Sequence, residues 1–240
     1  MIVPALARST GAAPSTKPRT APTATPAPGP APVSVGALTP TQALQLLRDG
    51  NARFVSGHPV TDQIDGKRRL EIAKTQKPFV AYVSCSDSRV PPELLFGRGL
   101  GEMFIIRNAG NTVDTIAMGS IEFAVAELGV PLVVVMGHER CGAVKAAVSV
   151  VENNTMFPGS IGKMIEPIIP AVLRAKSQRG NLLDNSVREN VRRVTHQLRT
   201  AAEPMLLAPQ QQGKLQVVGA YYDLDTGKVD FFDEPPTKKG

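Results

Sequence analysis

At 240 residues, 42% hydrophobic, 20% charged and with a formal net charge of +6, the chain can bury a substantial core. Collagen-like and wholly disordered classes are excluded. No apolar run approaches the roughly 20 residues that cross a bilayer, and two cysteines, Cys85 and Cys141, cannot build a disulfide scaffold.

Residues 1–36 hold 8 of the 21 prolines and no acidic residue, Trp, Tyr or Phe. Such a stretch buries too little apolar surface to offset the entropy of ordering it, which predicts a disordered Pro/Ala/Thr-rich tail. Arg8, Lys17 and Arg19 lie in it, so the remaining chain carries +3 instead of +6. Basic residues without interleaved aromatics do not make a nucleic-acid arm, and no nucleic-acid partner is expected. Val3-Pro4-Ala5-Leu6-Ala7 has the small-x-small form of a leader cleavage site. Read as a leader remnant it places the protein in the periplasm or another extracytoplasmic compartment; read as coincidence in an Ala-rich tail it leaves the protein in the cytoplasm.

Residues 37–240 read as one folded domain. Thr39, Pro40 and Gln42 form a capping signal that opens an N-terminal helical arm, with Leu44, Leu47 and Phe54 on its apolar face. Phe79 to Ser84, Met103 to Arg107 and Leu132 to Met136 are short, continuously apolar runs of the kind found in buried parallel strands. Thr115 to Leu128 has helical length and ends before Gly129 and Pro131. Val187, Val191, Val194 and Leu198 place a helix in the 167–212 region, and Leu215 to Tyr222 is a further strand. Val229 to Phe232 returns as a hairpin arm after Asp225-Thr226-Gly227. Strands alternating with helices predict an α/β fold, a mostly parallel central sheet flanked by helices.

Two polar segments end predicted strands, where open α/β sheets place their sites. Cys85-Ser86-Asp87-Ser88-Arg89 follows the first, and His138-Glu139-Arg140-Cys141-Gly142 follows the third and opens a helix. A cysteine ending an apolar strand is most often packing, and Asp87 with Arg89 can be an ordinary surface ion pair. Both cysteines, however, fall in these two clusters with one of only three histidines. Cys85, His138 and Cys141 together have the ligand pattern of a catalytic zinc site, three protein ligands and one open position. Asp87, two residues from Cys85, can reach the same ion, while Arg89 can pair with Asp87 and hold it off. A redox bridge between the cysteines is the reading if no metal binds. His58 and His196 read as ordinary loop and helix residues.

Cys85-Ser86-Asp87-Ser88-Arg89-Val90, Arg107-Asn108-Ala109-Gly110-Asn111 and Gly137-His138-x-x-Cys141-Gly142 resemble the motifs of the β-class carbonic anhydrases, over about residue 40 to the C-terminus. The resemblance implies zinc on Cys85, His138 and Cys141, an Asp87–Arg89 dyad, and reversible hydration of CO₂ to bicarbonate by attack of zinc-bound hydroxide, in homodimers or homotetramers. It further implies a substrate pocket lined by Gln76, Gly142 and Phe123, the last standing where plant-like members have a tyrosine. Hydrolysis of a related electrophile, COS or CS₂, and a non-catalytic bicarbonate-binding or scaffold role are the alternatives.

Overall fold

The computed structural model describes residues 38–59 and 63–234. The expected tail and the cleavage-site motif lie outside them. Helix α1 (Pro40–Val55) starts as its sequence dictates: the Thr39 side chain accepts from the Gln42 N–H, the Gln42 side chain accepts from the Thr39 N–H, and Pro40 occupies the first turn. A short α2 (Gly66–Glu71) precedes strand β1 (Val80–Ser84). Then come α3 (Pro92–Phe96), β2 (Met103–Arg107), a 3₁₀ turn at Ala109–Asn111, α4 (Thr115–Ala126) and β3 (Leu132–His138). The second half contains α5 (Gly142–Asn153), α6 (Gly159–Ile165), α7 (Ile169–Ala175), α8 (Leu182–Arg199), α9 (Pro204–Gln211), β4 (Gln216–Tyr222) and β5 (Val229–Asp233).

The sheet order is β2-β1-β3-β4-β5, with the first four strands parallel and β5 antiparallel to β4. The fold is therefore α/β with a mostly parallel sheet. Alternation explains the unbroken apolar runs. Val80 and Tyr82 of β1 pack on one face with Leu47, Phe96 and Val144, while Ala81 and Val83 pack on the other with Ile121, Val194 and Leu206. Both faces are buried, so the strand is aliphatic or aromatic up to Ser84, its last residue.

Three sequence expectations need adjustment. The 167–212 region is three helices, not one, because Pro170 opens α7, Asn181 caps α8 after Gly180, and Pro204 opens α9. Helix α4 ends at Ala126, and Gly129 reverses the chain with φ +67°. Strand β3 runs through to His138, two residues beyond its apolar stretch, because Met136, Gly137 and His138 pair with Ala220, Tyr221 and Tyr222 of β4.

Helix α8 lies close on β3 over Gly137. A Cβ there would stand 2.6 Å from Val187 Cγ1 and 2.8 Å from Val191 Cγ2. Gly137→Ala is expected to cost about 1–3 kcal/mol of stability through overpacking, measured as a lower denaturant midpoint. An unchanged midpoint would contradict this close approach.

Candidate metal centre

Successive connections leave β1 on opposite sides: the chain passes through α3 to β2, then through α4 to β3 on the other flank of β1. The crevice at the carboxyl ends of β1 and β3 is therefore the topological switch point of the sheet. Cys85 follows β1 there, and His138 ends β3. Cys141 is the N-cap of α5, three residues on.

The ligand atoms of Cys85, His138 and Cys141 lie within 4.8 Å of one another, and all three residues are buried. The two sulfurs are 3.9 Å apart and both thiols are free. That separation is far beyond a disulfide bond. It is close to the roughly 3.8 Å edge of a tetrahedron whose thiolates sit about 2.3 Å from zinc. The His138 Nδ1–H donates to the Glu139 carbonyl at 2.9 Å. A carbonyl only accepts, so this bond fixes the tautomer and leaves Nε2 with its lone pair free for a metal. Nε2 is buried without a hydrogen-bond partner. An orphaned acceptor beside two thiols is a donor set that a cation completes, so these three residues can hold a metal ion.

The two thiols share a proton unequally. Cys85 is drawn down, first by the hydrogen bond from Cys141 and, against the cost of burial, by the N–H groups of Gly110 and Asp87. Cys141 is pushed up, because its proton is held against Cys85 and it is buried. The N-terminus of α5 favours the Cys141 thiolate, and a cation supplies the rest of what the second ionisation needs.

Asp87 sits at the mouth of this cluster. Arg89 grips it bidentately, Nε to Oδ1 at 2.9 Å and Nη2 to Oδ2 at 2.8 Å, and the Arg89 backbone N–H also donates to Oδ1 at 3.0 Å. The Arg89 side-chain bond holds the Asp87 carboxyl well below the usual carboxylate range. Its Oδ2 is 3.9 Å from His138 Nε2. The ion pair anticipated from the Asp-x-Arg spacing is thus formed beside the metal pocket, and Asp87 faces the histidine without belonging to the three-residue cluster.

Several residues to which the sequence assigned no role hold this arrangement. Arg107, at the end of β2, donates from Nε to the Cys85 carbonyl at 2.9 Å and from Nη2 to the Asp87 carbonyl, pinning the segment between them. Arg140, between two candidate ligands, adopts φ +52° and makes a bidentate ion pair with Asp225 of the β4–β5 turn. Glu139 accepts from the Leu224 N–H at 3.1 Å, so the hairpin clasps the turn that carries His138 and Cys141. Arg107 opens the Arg107–Asn111 motif quoted from the sequence, which marked it without giving its role; the Arg140–Asp225 pairing spans 85 positions and left no signal.

The pocket residues implied by resemblance are distributed differently. Gly142 directly follows Cys141 as the first residue of α5 and is exposed, with open space where a Cβ would stand. Gln76 is exposed in the loop before β1, at the opposite end of that strand from Cys85. Phe123 is 48% exposed on α4 and packs against Phe104, whose register partner is Ala81. Ala81 lies four residues, about 13 Å, back along β1 from Cys85. Neither Gln76 nor Phe123 therefore lines the pocket of its own chain.

An α/β sheet with a Cys₂His pocket at its switch point and an arginine-gripped aspartate at the mouth defines a class of metal-dependent proteins. The sequence profile described as carbonic anhydrase matches residues 80–229. A carbonic anhydrase of Mycolicibacterium smegmatis is 38% identical over 193 residues, 80% of this chain and 92% of that protein. Carbonic anhydrase 2 of Mycobacterium tuberculosis is 37% identical over 192 residues, 79% and 91% of the two chains. Among solved structures, the Coccomyxa β-carbonic anhydrase in complex with acetazolamide superposes with a TM-score of 0.60 at 32% identity, covering 70% of this chain and 78% of that one. One of two tetrameric β-carbonic anhydrases from Sordaria macrospora gives 0.61 at 25% identity, over 67% and 83%. The chain belongs to the β-carbonic anhydrase family.

Proposed function

We propose that the protein is a zinc enzyme catalysing the reversible hydration of CO₂ to bicarbonate. The observation that carries this reading is the Cys85–His138–Cys141 cluster with Asp87 Oδ2 3.9 Å from His138 Nε2 and turned into the Arg89 guanidinium. Cys85, His138 and Cys141 would hold the zinc, which when bound would supply the Lewis acidity that brings the ionisation of water near neutral pH. Asp87, kept ionised by Arg89, accepts a hydrogen bond from the nucleophilic water and aligns it toward CO₂. Arg89 holds the carboxylate in its own grip, so the same contact that keeps Asp87 ionised would also keep it off the ion that the three ligands would hold. His138 is fixed in the ligating tautomer by the Glu139 carbonyl. A site built only for structure is more often closed by a fourth Cys or His.

Homo-oligomeric assembly belongs to the same reading. It is supported by the apolar side chains left on the outer face of α4, Ile116 at 78% and Phe123 at 48% exposure, and by the tetrameric Sordaria relatives. Gln76 and Phe123 serve a substrate pocket only across a contact between two copies. Among the described residues no helix is long and apolar enough to cross a membrane.

Metal analysis with stopped-flow CO₂ hydration tests the proposal: one zinc per chain and turnover support it, and zinc without turnover would favour a binding protein. The pH profile has a defined sign. Asp87 lies below the usual carboxylate range, so it is already ionised above about pH 4 and adds no limb at higher pH. Hydration is expected to rise with pH between about 6.5 and 9, where zinc-held water ionises. A flat profile across that interval would count against the assignment.

A further inference from the structure

The Ala109–Asn111 turn reaches the metal centre through one group, the Gly110 N–H, which donates to Cys85 Sγ at 3.3 Å. Two consecutive residues of this turn are left-handed, Gly110 at φ +68° and Asn111 at φ +47°. A Cβ on Gly110 would stand 2.6 Å from Ile168 Cδ1, so the turn is also tightly wedged. On the far side of the Gly110 Cα, its buried carbonyl accepts from Asn190 Nδ2 at 2.8 Å. Asn190 comes from α8, is fully buried, and sits among the apolar positions Val187, Val191 and Val194 of that helix.

An amide in such surroundings is costly unless its hydrogen bonds are made. Here Oδ1 has no partner, and the donor is spent on the Gly110 carbonyl. With the carbonyl held on one side of Cα and the side-chain space closed by Ile168, the orientation of the N–H on the other side is set. An N–H···S bond withdraws electron density from a thiolate ligand. Two thiolates otherwise neutralise the dication, so this bond preserves Lewis acidity at the metal, and outer-shell hydrogen bonds to ligands tune metal sites in this way.

We propose that Asn190 is a positioning residue of the metal centre, holding the Gly110 carbonyl on one side of Cα so that the Gly110 N–H on the other side is aimed at Cys85 Sγ. The proposal rests on the metal-centre reading above. Its test uses full-length protein carrying Asn190→Leu, which keeps the shape and removes the donor. Asn190→Ser, whose hydroxyl is too short to reach the carbonyl, serves if the leucine protein fails to fold.

In the cobalt-substituted enzyme the sulfur-to-metal charge-transfer band is expected to move to longer wavelength, because the thiolate becomes more electron-rich. Zinc retention against a competing chelator is expected to fall by about 10- to 100-fold, because Cys85 Sγ loses the contact that holds it in ligating position and this outweighs its greater donor strength. Variants that melt at lower temperature but keep the wild-type band and zinc retention would reduce Asn190 to a packing role and overturn the proposal alone. Wild-type protein that takes up neither zinc nor cobalt would overturn the metal-centre reading together with it.

Discussion

Arg89→Ala is expected to abolish CO₂ hydration while leaving zinc bound. The side-chain atoms that hold Asp87 in place are Arg89 Nε and Nη2, at 2.9 and 2.8 Å from its two oxygens. With them gone, the carboxylate keeps only the backbone N–H of residue 89, while its Oδ2 already lies 3.9 Å from His138 Nε2. A freed anion beside an open position on a cation moves onto it, which removes both the water site and the group that orients water. Loss of a positioned proton acceptor alone costs about 10²- to 10⁴-fold, and occupation of the fourth position adds to that. Metal content should stay at the wild-type level, because Cys85, His138 and Cys141 are untouched and a fourth ligand has been gained. Stopped-flow rates and zinc analysis on the same preparation decide the matter; full activity would sink the dyad account. Arg89→Lys separates charge from geometry, since a single ammonium cannot reproduce the two-point grip.

What could be read before the structure was known follows the range of each interaction. The α1 cap was legible because Thr39 and Gln42 are three residues apart and bond to each other. Strands β1 and β3 were legible because burial on both faces keeps them almost wholly apolar up to their last residue, and β2 because Met103 to Ile106 is a short unbroken apolar run. The metal cluster was legible because two short motifs carry both cysteines. The contacts that tune it were not: Arg107 to Cys85 spans 22 positions, Asn190 to Gly110 spans 80, and Arg140 to Asp225 spans 85. Those pairings follow from strand order and from how α8 and the hairpin pack on the sheet, which no local pattern encodes. Gln76 and Phe123 carry no local signal beyond the resemblance, and a single chain leaves both at the surface, Gln76 in the loop before β1 and Phe123 on α4.

Cys141→Ser is expected to separate the metal from the fold. Cys141 is the N-cap of α5 and makes no side-chain capping bond. Serine is among the best N-caps, so the zinc-free variant should be as stable as zinc-free wild type or more so, by about 0.5–1 kcal/mol. Its hydroxyl, however, is a poor ligand for zinc in place of a thiolate. Loss of an outer-shell partner already costs up to about 100-fold in affinity, and loss of this ligand should cost more, taking CO₂ hydration with it. The contrast appears in melting curves. For wild-type protein, zinc at 1,000 times its Kd adds about 4 kcal/mol, which for a domain of this size is about 8–16 °C in Tm. The serine variant should show little of that increment at the same zinc concentration. Equal zinc-dependent stabilisation in the two proteins would mean that Cys141 is not a ligand, leaving Cys85 and His138 as an incomplete site.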